Sequence, residues 1–359
     1  EFTMPFAWID RELFLHVASA GSSYEVTVNG KRAGYVQDGA TPADFDITRL
    51  ATEGKNRVTV TLFAPAVADA LQPNPALGEC YVMAQPKMRV RDVVVDAALA
   101  DDGNNGVLGL GIVMKTHSLN PKTTRVYYEL IAPDSTKVLD GYKDLTLDMR
   151  REDTVRFLAR IPDSMLWNPG RPTQYTLRVK TQHEGRYMEY IELPLGFRTV
   201  ELHNGQLAVN GNPVALRTRE IPPHFPAEEI AKLREQGFNT LRLLPGPVSP
   251  TLYAVCDTMG MYVIPQAPID TRSSGESRRI GGNPSNDPAW QGAYVERAEN
   301  SYHTSKRHPS VIAFSLATQS SNGINLYESY LDMKKSGDSR PFIYPDAAGE
   351  WNSDKLDMQ

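Results

Sequence analysis

Apolar and polar residues alternate singly along the first half of this chain, and the spacing lengthens after Val214. "LFLHVASAGSSYEVTVNGKRAGYV" alternates on both sides of Asn29-Gly30, which predicts a tight hairpin, because only residues tolerant of positive φ fit the favoured two-residue turns. "NRVTVTLF" supplies a further strand ending near Phe63, and "APAVADALQPNPALGE" reads as an irregular loop. From Met88 onward, "MRVRDVVVDAAL", "GVLGLGIVMKT", "TRVYYELIA", "DTVRFLARIP", "QYTLRVKTQ" and "YMEYIELPL" are spaced by turn residues. Six or seven short strands over roughly 110 residues predict an immunoglobulin-like sandwich, and cysteines at the antibody spacing are lacking.

Past Val214 the period becomes helical. "PAEEIAKLREQG" predicts an amphipathic helix with Pro226 at its start and Gly237 at its end. The order then runs strand "NTLRLL", helix "PTLYAVCDTMG", strand "MYVIPQ", a long helix across "DPAWQGAYVERAENSYHTSK", strand "VIAFSL", helix "NLYESYLDMKK" and strand "PFIYPD". Strands alternating with helices predict a parallel sheet. With "PVALR" counted first, this makes about five strands and four helices, where a closed (β/α)8 barrel has eight of each.

Composition narrows the picture. A length of 359 residues predicts two or three domains. A net charge of −5 offers no basic face, so nucleic acid is not an expected partner. No apolar run is long enough for a membrane span. The sequence starts at Glu1 without a leader, which predicts a piece of a longer gene product and leaves export open. Cys80 and Cys256 fall in different predicted domains and read as buried free thiols. His224, His303 and His308 lack zinc-ligand spacing, so neither metal nor cofactor is expected.

Several long phrases, in order, resemble glycoside hydrolase family 2, the β-galactosidase and β-glucuronidase family. "VNGKRAGYVQDGATPADFDITRLATEGKNRVTV" is similar to its N-terminal sugar-binding jelly roll, and "IPDSMLWNPGRPTQYTLRV" to the last strands of its sandwich. "GFRTVELHNGQLAVNGNPVALR" is similar to its barrel entry, and "LREQGFNTLRLL", "YAVCDTMGMYVI" and "RHPSVIAFSL" to its first barrel units. The resemblance implies a galactose-binding-like jelly roll over residues 1–86, lacking its first strands, an immunoglobulin-like β-sandwich over 87–198, and a partial TIM-type barrel over 199–359.

It also implies a retaining β-glycosidase, which needs two carboxyls about 5 Å apart, one as acid/base and one as nucleophile. In the family the acid/base glutamate stands in a Ser-Leu-Gly-Asn-Glu-Ser phrase after the fourth strand. This chain reads "SLATQS", with Ala317, Thr318 and Gln319 at the Gly, Asn and Glu places. The family's nucleophile lies on a later strand, past Gln359. After the third strand Asp-Glu-Ala-Asn is replaced by Pro265 to Pro268. After the second, Arg242 is kept and the histidine place holds Pro245. After the first, the family's Asn-Arg-His-Glu is replaced near Thr218 to Ile221.

An amide has no ionisable proton to give, so the expectation is a non-hydrolytic relative that binds carbohydrate or acts as a scaffold. The alternative is a β-galactosidase-like hydrolase active in full-length form. The catalytic set is expected to be empty, and the candidate ligand pocket is Arg242, Gln266, Asp270, Gln319, Tyr344 and Trp351. Gln319 reads as a sugar-binding amide or as a loop hydrogen-bonder, and Arg242 as a ligand guide or an ion-pair partner. Tyr344 and Trp351 read as stacking platforms or as packing. Asp270, Glu276, Asp346 and Glu350 are the loop carboxylates that could replace the lost acid. Residues 270–290 read as a surface loop, with an anion site as the sharper alternative. An incomplete barrel exposes a sheet edge, so a protein partner or a further chain segment is expected over it. The residues fix no compartment, and the carbohydrate context suits a periplasmic or extracellular setting.

Overall fold

The computed structural model describes residues 1–63, 76–100, 105–162, 164–347 and 353–358. Trp351 and Glu350, and most of the expected loop over 64–79, lie outside them.

The early alternation becomes two three-stranded antiparallel sheets on one core. One orders Ala43–Asp46, Glu12–Val17 and Cys80–Gln85; the other orders Lys31–Val36, Tyr24–Val28 and Val58–Leu62. Leu13, Leu15 and Val17 from the first pack with Tyr24, Val26 and Val28 from the second. Asn29 (φ 52°) and Gly30 (φ 76°) form the expected turn, and the Asn29 side chain also bonds Asn56 and the Arg57 amide. Cys80 is exposed rather than buried, because its strand is the edge of its sheet; Cys256 is buried.

Residues 88–195 form the sandwich. One sheet orders Glu152–Ile161, Gly106–Thr116 and Met88–Leu99, and the other orders Lys137–Leu147, Lys122–Ile131, Tyr175–His183 and Arg186–Leu195. Every second residue of Gly106–Thr116 is buried, as alternation requires of a strand with one inward face.

Val200–His203, Gln206–Val209 and Asn212–Pro213 make a small antiparallel sheet, and the strands from Thr218 on are parallel: Thr218–Ile221 beside Thr240–Leu243 beside Tyr262–Ile264. Bridges from Val263, Gln266 and Asp270 to Val311, Ser315 and Thr318 add the fourth strand, and Phe314–Ser315 pairs with Phe342–Ile343 as the fifth. The first strand is not "PVALR" but the next four residues. The Asn239 side chain accepts from the Arg217 amide and donates to the Ala215 carbonyl, so the chain enters the parallel ladder only at Thr218. Helices Ile230–Glu235, Pro250–Met259, Gln291–Ser305 and Ile324–Lys334 fill the connections. The first is shorter than its pattern predicts, because Ala227–Glu229 winds as a 3-10 turn.

The outer edge of Thr218–Ile221 carries no partner strand among the described residues, and Arg219 and Glu220 on it are exposed. The fifth strand is covered differently: the Asp354 amide donates to the Phe342 carbonyl (2.8 Å), and the Phe342 amide to Asp354 Oδ2 (2.9 Å). No helix among the described residues is long and apolar enough to cross a membrane.

Candidate active site

In a parallel barrel the segments just past the C-terminal ends of the strands surround the mouth. Here these segments frame a cavity of about 440 Å³ lined by Arg272, Glu276, Arg278, Gln319 and Asp346, with Ser320 to Asn322. Gln319 is exposed and holds φ 42°, a left-handed conformation unusual for a residue with a side chain. Three contacts hold it there. Its amide donates to Asp346 Oδ2 (2.5 Å), the Ser320 amide donates to the Tyr344 hydroxyl (3.1 Å), and that hydroxyl bonds the Ser320 carbonyl.

Tyr344 is therefore a buried support for this turn, with 2% of its surface exposed and no face offered to a ligand. Burial, with Asp346 nearby, pushes its hydroxyl well above the ordinary tyrosine range. Asp270 is half-buried and taken up by Arg272, whose Nε lies 2.9 and 2.8 Å from its two oxygens. That pairing raises the Arg272 guanidinium above its usual range.

Arg242, Gln266 and Thr318 do not line this cavity. They make a separate buried network: Arg242 Nη1 donates to Glu220 Oε1 (2.8 Å), and Nη2 to Gln266 Oε1 (3.4 Å) and Thr318 Oγ1 (3.3 Å). Ser315 Oγ donates to the same Gln266 oxygen at 3.2 Å. Of the expected pocket residues, Gln319 alone lines the cavity directly, and Trp351 lies outside the described residues. Two of the loop carboxylates, Glu276 and Asp346, line it too.

The loop over 270–290 supplies Arg272, Glu276 and Arg278, and it is anchored from within. Buried Asn283 donates to the carbonyls of Thr271 (3.1 Å) and Gly275 (2.6 Å), and its Oδ1 accepts from Thr271 Oγ1 (2.9 Å). Composition suggested a surface loop; the one signal for its anchoring was an Asn-Pro pair, which starts turns. Asp257 was missed altogether. It meets His308 across 51 residues, with Nδ1 2.6 Å from Oδ2, and no local pattern marks such a pair.

The chemistry available at the mouth is hydrogen bonding and charge. An amide occupies the place just past the fourth strand. Asp346 accepts from a backbone amide and Asp270 from a guanidinium. No group of three or more potential metal ligands occurs among the described residues.

Three family models match consecutive stretches: "Glycosyl hydrolases family 2, sugar binding domain" over residues 1–72, "Glycosyl hydrolases family 2" over 88–198, and "Glycosyl hydrolases family 2, TIM barrel domain" over 200–358. This chain belongs to glycoside hydrolase family 2. Among curated relatives, a "Beta-galactosidase" of Priestia megaterium is 25% identical, covering 96% of this chain and 35% of its own length. One of Psychromonas ingrahamii is also 25% identical with the same coverage. The family 2 chain thus spans about a third of the length of these relatives, 35%. Among solved structures, a beta-glucuronidase from glycoside hydrolase family 2 superposes with TM-score 0.82 at 15% identity, covering 98% of this chain and 40% of that one. A family 2 member from Bacteroides cellulosilyticus gives 0.81 at 16% identity, covering 95% and 48%. These likenesses show the fold: a jelly roll, an immunoglobulin-like sandwich and part of a TIM barrel.

Proposed function

We propose that this chain is a non-hydrolytic family 2 protein that uses the cavity at its barrel mouth to bind carbohydrate, with units 1–86 and 87–198 supporting the barrel segment 199–359. The observation that supports this is Gln319. It lines the cavity just past the fourth strand, where the retaining mechanism needs a group that gives up and takes back a proton. Its amide donates and accepts hydrogen bonds and does nothing further in the working pH range. The wall suits a polyhydroxylated ligand, because hydroxyls, amides and charged groups alternate around it. Arg242, Gln266, Asp270 and Tyr344 serve by holding the turns, while Gln319, Asn322, Glu276 and Arg272 face the sugar. The exposed edge of Thr218–Ile221 takes a further chain segment or a protein partner.

The test is binding. A panel of mono- and oligosaccharides titrated against the chain is expected to give a ligand whose affinity falls at least about tenfold in Gln319→Ala and Glu276→Gln, while circular dichroism stays unchanged. Absence of binding across the panel, together with co-purification of a protein partner, would favour a scaffold role instead.

A further inference from the structure

Residues 306–309 and 336–340 lead into the fourth and fifth barrel strands, so they sit at the end opposite Gln319. There, against residues 94–98 and 195–200 of the sandwich, lies a second cavity of about 440 Å³ that shares no lining residue with the mouth. Four basic side chains line it, Arg198, Lys306, Arg307 and Arg340, against two acidic ones, Asp96 and Asp338. The lining therefore carries an excess of two positive charges on a chain of net charge −5.

Of the lining carboxylates, Asp338 is committed to Arg340. Asp338 is already filled: its Oδ1 accepts from the Arg340 amide (3.0 Å) and Nε (2.8 Å), and its Oδ2 from Arg340 Nη2 (2.5 Å) and the Tyr302 hydroxyl (3.1 Å). Arg198 spends its hydrogens on backbone carbonyls, those of Pro309, His308 (3.2 Å) and Val311 (2.8 Å). Burial, with Arg340 close by, pulls its guanidinium down to about 9. Lys306 pairs with Asp92 at 3.5 Å, meets the ring nitrogen of His303 at 3.0 Å and lies over the Tyr302 ring. Arg307 is exposed and makes no ion pair or side-chain hydrogen bond among the described residues. Cations gathered in a concave, partly desolvated site draw anions, and guanidinium forks match the paired oxygens of phosphate and carboxylate. The volume exceeds that of a bare oxyanion and falls in the range of sites for small organic ligands.

We propose that this cavity binds a small molecule bearing an oxyanion, gripped by Lys306 and Arg307 beside the buried charge of Arg198, and that the ligand clamps the sandwich to the barrel. Calorimetric titration at constant ionic strength should compare inorganic phosphate, glucose 6-phosphate and glucuronate, with neutral glucose as control. At least one oxyanion is expected to bind. Its affinity should drop at least about tenfold in Arg307→Glu, whose exposed site tolerates the change, and stay unchanged in Asp346→Asn at the mouth. Preference for the phosphate ester or for glucuronate then names the anion's source. Absence of binding by all three, glucose binding that Arg307→Glu weakens as much as it weakens the anions, an Arg307→Glu variant that binds as tightly as the parent, or a loss caused equally by Asp346→Asn would overturn the proposal.

Discussion

Replacing Asp257 by alanine removes the anchor between the second barrel helix and the entry to the fourth strand. Asp257 is 1% exposed; its Oδ1 accepts the Ser310 amide at 3.0 Å, and its Oδ2 lies 2.6 Å from His308 Nδ1. Its carbonyl also accepts from the buried Trp167 indole at 2.8 Å, a link to the sandwich. In Asp257→Ala the fully buried Ser310 amide loses its partner, which costs about 1–3 kcal/mol, and the charge-assisted contact with His308 is worth about 1.5–3 kcal/mol. The two together predict a loss of about 2.5–6 kcal/mol, which brackets the about 3–5 kcal/mol found when one member of a buried pair is removed. Asp257→Asn keeps an oxygen for Ser310 and should retain about half of that stability. Urea unfolding followed by tryptophan fluorescence measures both, with amide exchange at residues 308–316 showing whether the loss is local. An Asp257→Ala variant within about 0.5 kcal/mol of the parent, or an Asn variant no better than the alanine one, would refute the reasoning.

Other outcomes follow from single contacts. Burial raises the Glu189 carboxyl above its ordinary 4.5, although Val90 N (2.9 Å) and Thr181 Oγ1 (3.1 Å) donate to it. A raised folded value means that protonation favours the native state, so this contribution is present below about pH 4.5 and lost as pH rises through the folded value. Glu189→Gln should therefore gain stability relative to the parent as pH goes from 4.5 towards 7; a pH-independent difference in urea midpoint would contradict this. Gly260 caps its helix at φ 70°, and an added Cβ would lie 2.6 Å from the Pro169 backbone. Gly260→Ala should cost at least about 1–3 kcal/mol from strain alone, measured by the same unfolding assay.

The fold was legible because its signals are local. Asn29-Gly30 fixes a hairpin within two residues, and Ser249-Pro250 with Gly260 brackets a helix that runs Pro250–Met259. The alternation of Gly106–Thr116 survives as alternating burial. The first barrel strand was placed five residues early because its start is set by the Asn239 side chain, which is distant in sequence. Cys80 was placed inside because no local signal shows which strand becomes a sheet edge. At the mouth, Gln319 could be placed from its phrase after the fourth strand. The sorting of Arg242 and Gln266 into a network apart from the cavity depends on side-chain directions at three strand ends, which spacing does not encode.

The measurement closest to the central claim is turnover of an activated aryl β-glycoside. A good leaving group needs little acid assistance, so this substrate is the most generous test of any residual chemistry. The account predicts release of the phenol no faster than the uncatalysed rate, because the Gln319 side chain gives no proton while Asp270 and Asp346 are engaged by Arg272 and the Gln319 backbone amide. Turnover well above background by the unaltered chain, abolished in Asp346→Asn or Glu276→Gln, would contradict it by showing that a carboxylate at the mouth does the work assigned elsewhere to glutamate.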